Sequence, residues 1–343
     1  MNVLSRPLLR VLVVCLLFGL GAAVSGCRRT REREVVVYTS VDQAFSEAVF
    51  RDFEKTTGVK VHAVYAPEQS KDNDLAARLL AQPMHPAADV FWSGDPVHPF
   101  RLMQGGMVTP YGSPQAAGIP GAYKATDGAW TGLAASARVL LVNKSKVTAA
   151  RMPSSIRALA DPQWKGQTAI ANPLYGTAAM HVAALFLAWG EPRAQAFLAD
   201  LKSNGVRVAR SNEEVSHLVV SGQVAFGLVD TDDAHEAMQE ATHVAVVYPD
   251  QDGEGAVLLP TTVVLLRDGP HPDTARQLID YIVSPEVEQH MAEQAARIAF
   301  HPGIPVPASI RSLSQIRAMR IDYARLTAEM ERIGPQLRSW HGP

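Results

Sequence analysis

The chain has 343 residues, 47% hydrophobic and 19% charged, with a formal net charge of −2. That is enough apolar material for more than one core, and a near-neutral balance without a long basic run excludes an electrostatic nucleic-acid binder. Its two cysteines, Cys15 and Cys27, both stand near the N-terminus, which excludes a disulfide framework or a cysteine metal site in the remainder.

Residues 1–26 read as an export signal: Arg6 and Arg10 supply the positive start, residues 11–24 an apolar run, and Val24-Ser25-Gly26-Cys27 a small-residue cleavage site. The run is shorter than the ~20 residues of a spanning helix. It resembles a bacterial lipoprotein signal, which implies cleavage before Cys27 and acylation there. At about 0.8 kcal/mol per buried methylene, several acyl chains hold a soluble domain on a membrane. Cleavage removes two arginines and no acids, taking the formal charge from −2 to −4 and leaving 27–34 as a charged tether.

From residue 35 the chain alternates short apolar strands with amphipathic helices. Residues 35–38 predict a buried strand. Phe45, Val49 and Phe53 recur at helical spacing until Gly58 stops the helix, and 59–65 predict the next strand. Helix 74–81, strand 88–92 and helix 96–104, closed by Gly105-Gly106, extend this βαβ pattern. A long apolar strand, 133–143, leads to a second series: strand 168–171, helices 178–189 and 193–203, strand 206–209, helix 213–221, strand 224–229 and helix 233–241. Strand 256–266, helix 272–282 and two further helices complete the chain.

Val36-Val37-Tyr38-Thr39-Ser40, the run from Phe53 to Val61 (F-E-K-T-T-G-V-K-V), Ala87-Ala88-Asp89-Val90-Phe91-Trp92, and Asp280-Tyr281-Ile282-Val283-Ser284-Pro285-Glu286 resemble periplasmic substrate-binding proteins of ABC importers, in the branch that includes ferric-ion-binding proteins. The resemblance implies an α/β, two-lobed type II periplasmic-binding-protein fold, each lobe a mixed sheet flanked by helices, with a ligand cleft between. Residues 35–134 plus 260–299 would form lobe 1, 135–259 lobe 2, and 300–343 the C-terminal helices. It implies a monomeric, lipid-anchored receptor outside the cytoplasm that hands a small ligand to a membrane permease. No cofactor is expected beyond a metal ion as cargo.

In open α/β sheets ligands sit beyond the carboxyl ends of strands, and four loops there are candidates. Thr39, Ser40, Asp42 and Gln43, after Tyr38, form the first, where Ser40 or Asp42 serves equally as a helix cap. Trp92, Ser93 and Asp95 form the second, with Trp92 read as a cleft wall. Asn172, Tyr175, Gly176 and Thr177 form the third, a helix start suited to an anion. Asp230, Thr231 and Asp232 form the fourth, its acids suited to a cation, with Asp232 alternatively capping the next helix. Arg138, on the crossing strand, either meets an anionic part of the ligand or locks Asp230 and Asp232.

Ferric binders of the resembled branch carry a histidine in the first loop and a tyrosine pair in the fourth, hard ligands for a hard cation. This chain has Asp42 and Asp230-Thr231-Asp232 there, so a metal would fall to Asp42, Tyr175, Asp230 and Asp232, with His235 and Glu236 extending the set or lying on a solvated face. The alternative cargo is an organic cation or zwitterion such as an aminophosphonate, a polyamine or thiamine. The alternative classes are an exported enzyme, for which no G-x-S-x-G, S-x-x-K, H-E-x-x-H or phosphate-cradling glycine loop speaks, and a tethered sensor.

Overall fold

The computed structural model describes residues 33–65, 73–83 and 86–342; the signal, Cys27 and most of the tether lie outside the described residues. The first unit runs β1 (Glu34–Thr39), α1 (Gln43–Thr57), β2 (Lys60–Tyr65), α2 (Asn73–Ala81), β3 (Val90–Ser93), α3 (Val97–Gln104) and the short β4 (Val108–Thr109). Asp42 caps α1 by accepting the Phe45 N–H at 3.0 Å, and Gly58 ends it at φ 67°, where a left-handed backbone suits glycine. β5 (Thr131–Asn143) leads to β6 (Thr168–Ala171), α4 (Gly176–Trp189), α5 (Glu191–Ser203), β7 (Arg207–Ala209), α6 (Asn212–Val220), β8 (Phe226–Asp230), α7 (Thr231–Glu240) and β9 (Val244–Val247). β10 (Leu258–Leu266), α8 (Pro272–Ile282), α9 (Pro285–Ala295) and α10 (Tyr323–His341) close the chain.

The strands order as β2-β1-β3-β10-β5-β8-β6-β7, with β4 on β10 and β9 on β5. β1 lies parallel to β2 and β3, and β6 parallel to β7 and β8, while β10 and β5 are antiparallel to their neighbours. The result is two parallel-centred halves hung on two long antiparallel strands that are buried along their whole length. Continuous apolar runs, rather than alternation, are what burial on both faces requires.

Where β5 and β10 cross, the register shifts between Pro260 and Thr261. Beside that shift Ala134 sits at φ 43°, which costs a non-glycine residue about 1–2 kcal/mol. Its N–H donates to Glu288 Oε1 at 2.8 Å. The same fully buried carboxylate accepts the N–H of Phe300 at 2.7 Å and of His301 at 2.8 Å, and pairs with His301 Nδ1 at 2.6 Å. A charge from α9 thus fixes the strained point of the crossing strand.

α10 lies against α3 on one side and α4 on the other. Tyr323 packs on Phe100 and Trp130, Glu331 pairs with Arg101 at 3.1 Å, and Trp340 Nε1 donates to the Leu198 carbonyl at 2.7 Å. Two differences from the sequence expectation stand out. β9 was not foreseen, and of the two helices expected after α8 one, α9, stands before residue 300, so 300–343 holds one α-helix behind a long irregular connection.

Candidate functional site

The fourth loop sits in a dense network of buried polar bonds. Helix α7 begins at Thr231, two residues earlier than the pattern predicts, because Asp230 is its N-cap, with the Asp230 N–H reaching the Asp233 carboxylate at 3.3 Å. Capping therefore falls to Asp230 and not to Asp232, for which it was the alternative role. The Asp230 carboxylate accepts from Arg138 Nη1 at 2.9 Å, Thr177 Oγ1 at 2.7 Å and Asn212 Nδ2 at 2.9 Å. Arg138 is fully buried and also donates to Thr177 Oγ1 and Asn212 Oδ1 at 3.1 Å. Of its two predicted roles Arg138 takes the lock on Asp230. Register explains it: Arg138 and Asp230 are cross-strand partners on β5 and β8.

Asp232 has a different environment. Its Oδ2 lies 3.2 Å from Arg297 Nη2 and its Oδ1 accepts from Ser136 Oγ at 3.2 Å, while Arg297 also reaches Ser136 Oγ. Both partners of this ion pair are partly exposed, so it can exchange, whereas Arg138 and Asp230 cannot. One carboxylate oxygen from each of Asp230, Asp232 and Asp233 lies within 4.8 Å of the others, a spacing one metal ion could span. Thr231 is buried and accepts the Ala137 N–H at 3.2 Å. His235 does not join the acids, since its ring bonds Ser309, and Glu236 faces solvent.

The third loop meets the fourth through Thr177, in the first turn of α4. Gly176 opens that helix at φ 54°. Asn172 Oδ1 accepts the Leu174 N–H at 3.0 Å, and its Nδ2 lies 3.4 Å from His341 Nε2. Tyr175 is 69% exposed, the most exposed large apolar side chain among the described residues. With Arg101, Leu174, Met330 and Arg338 it lines a cavity of about 270 Å³.

First-loop and second-loop residues spend their hydrogen bonds locally. Ser40 Oγ accepts the Gly94 N–H at 3.0 Å and lies 3.4 Å from Ser93 Oγ, Thr39 Oγ1 accepts from Val41, and Asp95 Oδ1 accepts the Val97 N–H at the start of α3 at 2.7 Å. Gln43 is exposed. Tyr38 is buried and its hydroxyl accepts from Arg78 at 3.3 Å. Trp92 is corrected: it is not a cleft wall but fully buried core, edge-on to Phe50 and Phe45 at 5.7 and 6.3 Å. Asn212, Ser136 and Arg297 were missed. Asn212 carried a signal, since it follows a strand and opens a helix as the other candidate loops do.

Two titratable groups here are strongly shifted: Asp233, which keeps part of its surface exposed, and His181, which is buried. Burial, then the charges of Asp232 and Asp230, pushes Asp233 up to about 8 from 3.8. Burial, then Arg138, pulls His181 down to about 3 from 6.5, and neither ring nitrogen has a partner among the described residues. Asp233 keeps its proton in the folded chain and loses it in the unfolded one, so its contribution is complete below the unfolded value and disappears as pH rises through about 8. His181 disfavours folding only below about 6.5, so between pH 6.5 and 8 Asp233 alone of the two acts. Asp233→Asn should therefore flatten the decline of unfolding free energy across that window, measured by urea titration at stepped pH; an unaltered slope would count against this environment for Asp233.

Residues 85–325 match the family described as bacterial extracellular solute-binding protein. The chain is similar to iron uptake protein A1 of Synechocystis sp., 26% identical over 89% of this chain and 84% of that one. It is also similar to the Fe(3+)-binding periplasmic protein of Serratia marcescens, 24% identical over 87% and 88%. Among solved structures, iron-bound HitA from Pseudomonas aeruginosa superposes with a TM-score of 0.77 at 21% identity, covering 89% of this chain and 99% of that one. AfuA from Actinobacillus pleuropneumoniae, with fructose-6-phosphate bound, gives 0.73 at 20% identity, covering 89% and 97%. These likenesses establish the type II periplasmic-binding fold.

Proposed function

We infer what this chain does from one premise: it belongs to the bacterial extracellular solute-binding proteins. It is a binding protein and not an enzyme. Its cargo, in our reading, is ferric iron, captured as a single ion at the Asp230-Thr231-Asp232 loop and passed to an ABC permease. The observation that carries this is the acid triad, with oxygens within 4.8 Å of one another, in a chain similar over more than four-fifths of its length to two relatives named for iron. Asp232 is the acid free to exchange partners; Asp42 and Tyr175 complete the hard-ligand set.

Residues 35–134 with 260–299, and residues 135–259, act as the two lobes, and cargo that touches both favours their closed arrangement by its differential affinity. Acylated Cys27 tethers a monomer outside the cytoplasm; no helix among the described residues is long and apolar enough to cross a membrane. Finding an unmodified Cys27 by mass spectrometry of protein taken from its own membranes would remove the tether.

A second reading rests on the arginines. Arg138 and Arg297 already balance Asp230 and Asp232, which suits an organic ligand with separate cationic and anionic ends, such as an aminophosphonate, better than a bare metal ion. Ferric citrate titrated into the metal-free protein separates the two. The iron reading expects one ion per chain, no intense charge-transfer band of the paired-tyrosine kind, and a loss of affinity in Asp232→Asn of about 10- to 150-fold, from the 1.5–3 kcal/mol of a charge-assisted bond. Saturation without iron uptake leaves the organic ligand; a coloured complex that Tyr175→Phe bleaches supports Tyr175 as one of the iron ligands.

A further inference from the structure

Helices α6 and α7 pack so that one face of each meets the other, and the seam is acidic. Glu213, Asp233, Glu236 and Glu240 line it together with His217, Ser216, Val220 and Ala237, and no lysine or arginine does. Glu213 and His217 are four residues apart on α6, as are Glu236 and Glu240 on α7, so each pair projects side by side. Two carboxylates at that spacing repel by a few tenths of a kcal/mol. Glu240 adds to this as the last residue of α7, whose final turn has no basic residue and whose carbonyl end already carries partial negative charge. No lysine or arginine within the seam answers that charge.

A second observation is independent of the acids. Ser216, 5% exposed, stands at the base of the seam with a hydroxyl oxygen that has no hydrogen-bond partner among the described residues. An unpaired buried hydroxyl is costly and rare, and calls for a guest. The crevice above it has a volume of about 20 Å³, room for one water-sized occupant. An imidazole with several carboxylates is a ligand set for a borderline divalent ion such as zinc, unlike the all-oxygen set of the cargo loop.

We propose that the α6–α7 seam binds one divalent transition-metal ion through His217, Glu213, Glu236 and Glu240, with the Ser216 hydroxyl behind it. The four ligand side chains are exposed and not drawn together in this structure, so they close on the ion by rotamer changes, and binding is weaker than at a preformed site. Because α7 begins with the cargo loop, an ion here braces the helix that carries Asp232.

The test is thermal unfolding of the chelator-stripped mature chain with zinc chloride or magnesium chloride at fixed ionic strength. A ligand of the folded state alone raises the melting temperature by mass action. Zinc should give a saturable rise larger than magnesium does, at least half of it lost in the double variant His217→Ala, Glu240→Gln and retained in Asp232→Asn. The absence of a saturable zinc effect, an equal response to magnesium, or a rise unaffected by the double variant would each overturn the site. A rise lost only in Asp232→Asn would do the same by assigning the zinc to the cargo loop. Glu236→Gln alone, read as bound zinc per chain by titration calorimetry, gives a second measure should the double variant melt too low to compare.

Discussion

Arg138→Met should lower the free energy of unfolding by about 3–5 kcal/mol, the cost of stranding a buried partner charge. Arg138 has no exposed side-chain surface and Asp230 only 8%, so water cannot replace the lost guanidinium. Thr177 and Asn212 would still donate to Asp230, which softens the loss without removing the charge. Adding Asp230→Asn should recover much of it, because a neutral amide needs no counter-charge; the difference between single and double variants measures the coupling. Urea midpoints at unchanged m-value are the readout. A loss below about 1 kcal/mol in the single variant would mean that Asp230 reaches solvent or another cation.

Glu288→Ala is expected to cost about 4 kcal/mol or more. Its carboxylate serves the backbone N–H groups of Ala134, Phe300 and His301 and the His301 ring. Each buried donor left unpaired costs about 1–3 kcal/mol. Ala134 would also be released from φ 43°. In the Glu288→Ala background, Ala134→Gly should therefore return little, whereas in the otherwise native chain it should stabilise by about 1 kcal/mol by relieving the left-handed alanine. Denaturant titration of the four proteins checks this, and equal effects of Ala134→Gly in both backgrounds would break the link between carboxylate and strain.

Most of the fold was legible because its signals are local. Helix period, Gly58 as a stop and unbroken apolar runs at 133–143 and 256–266 give the βαβ order and the two long strands. β9 escaped since Val244–Val247 is four residues long and follows a helix with little turn chemistry between. Trp92 was misread for a different reason: an aromatic at a strand end looks the same whether it faces a cleft or the core, and the choice was made by Phe45 and Phe50, more than forty residues away. In the fourth loop, Asp230, Asp232 and Asp233 are all competent caps, and only the register of β8 against β5 shows which one is used. Arg297 and Ser136 meet across 161 residues, a pairing no local pattern encodes.

The position of α10 bears on how the protein can be handled at the bench. His341, in its last turn, ends beside Asn172, and Trp340 is pinned to α5 by its indole and by Lys202 on its carbonyl. An affinity tag or fluorescent fusion joined after that turn would emerge next to the Asn172-to-Gly176 loop and crowd the exposed ring of Tyr175. The better attachment point is the other end, ahead of β1.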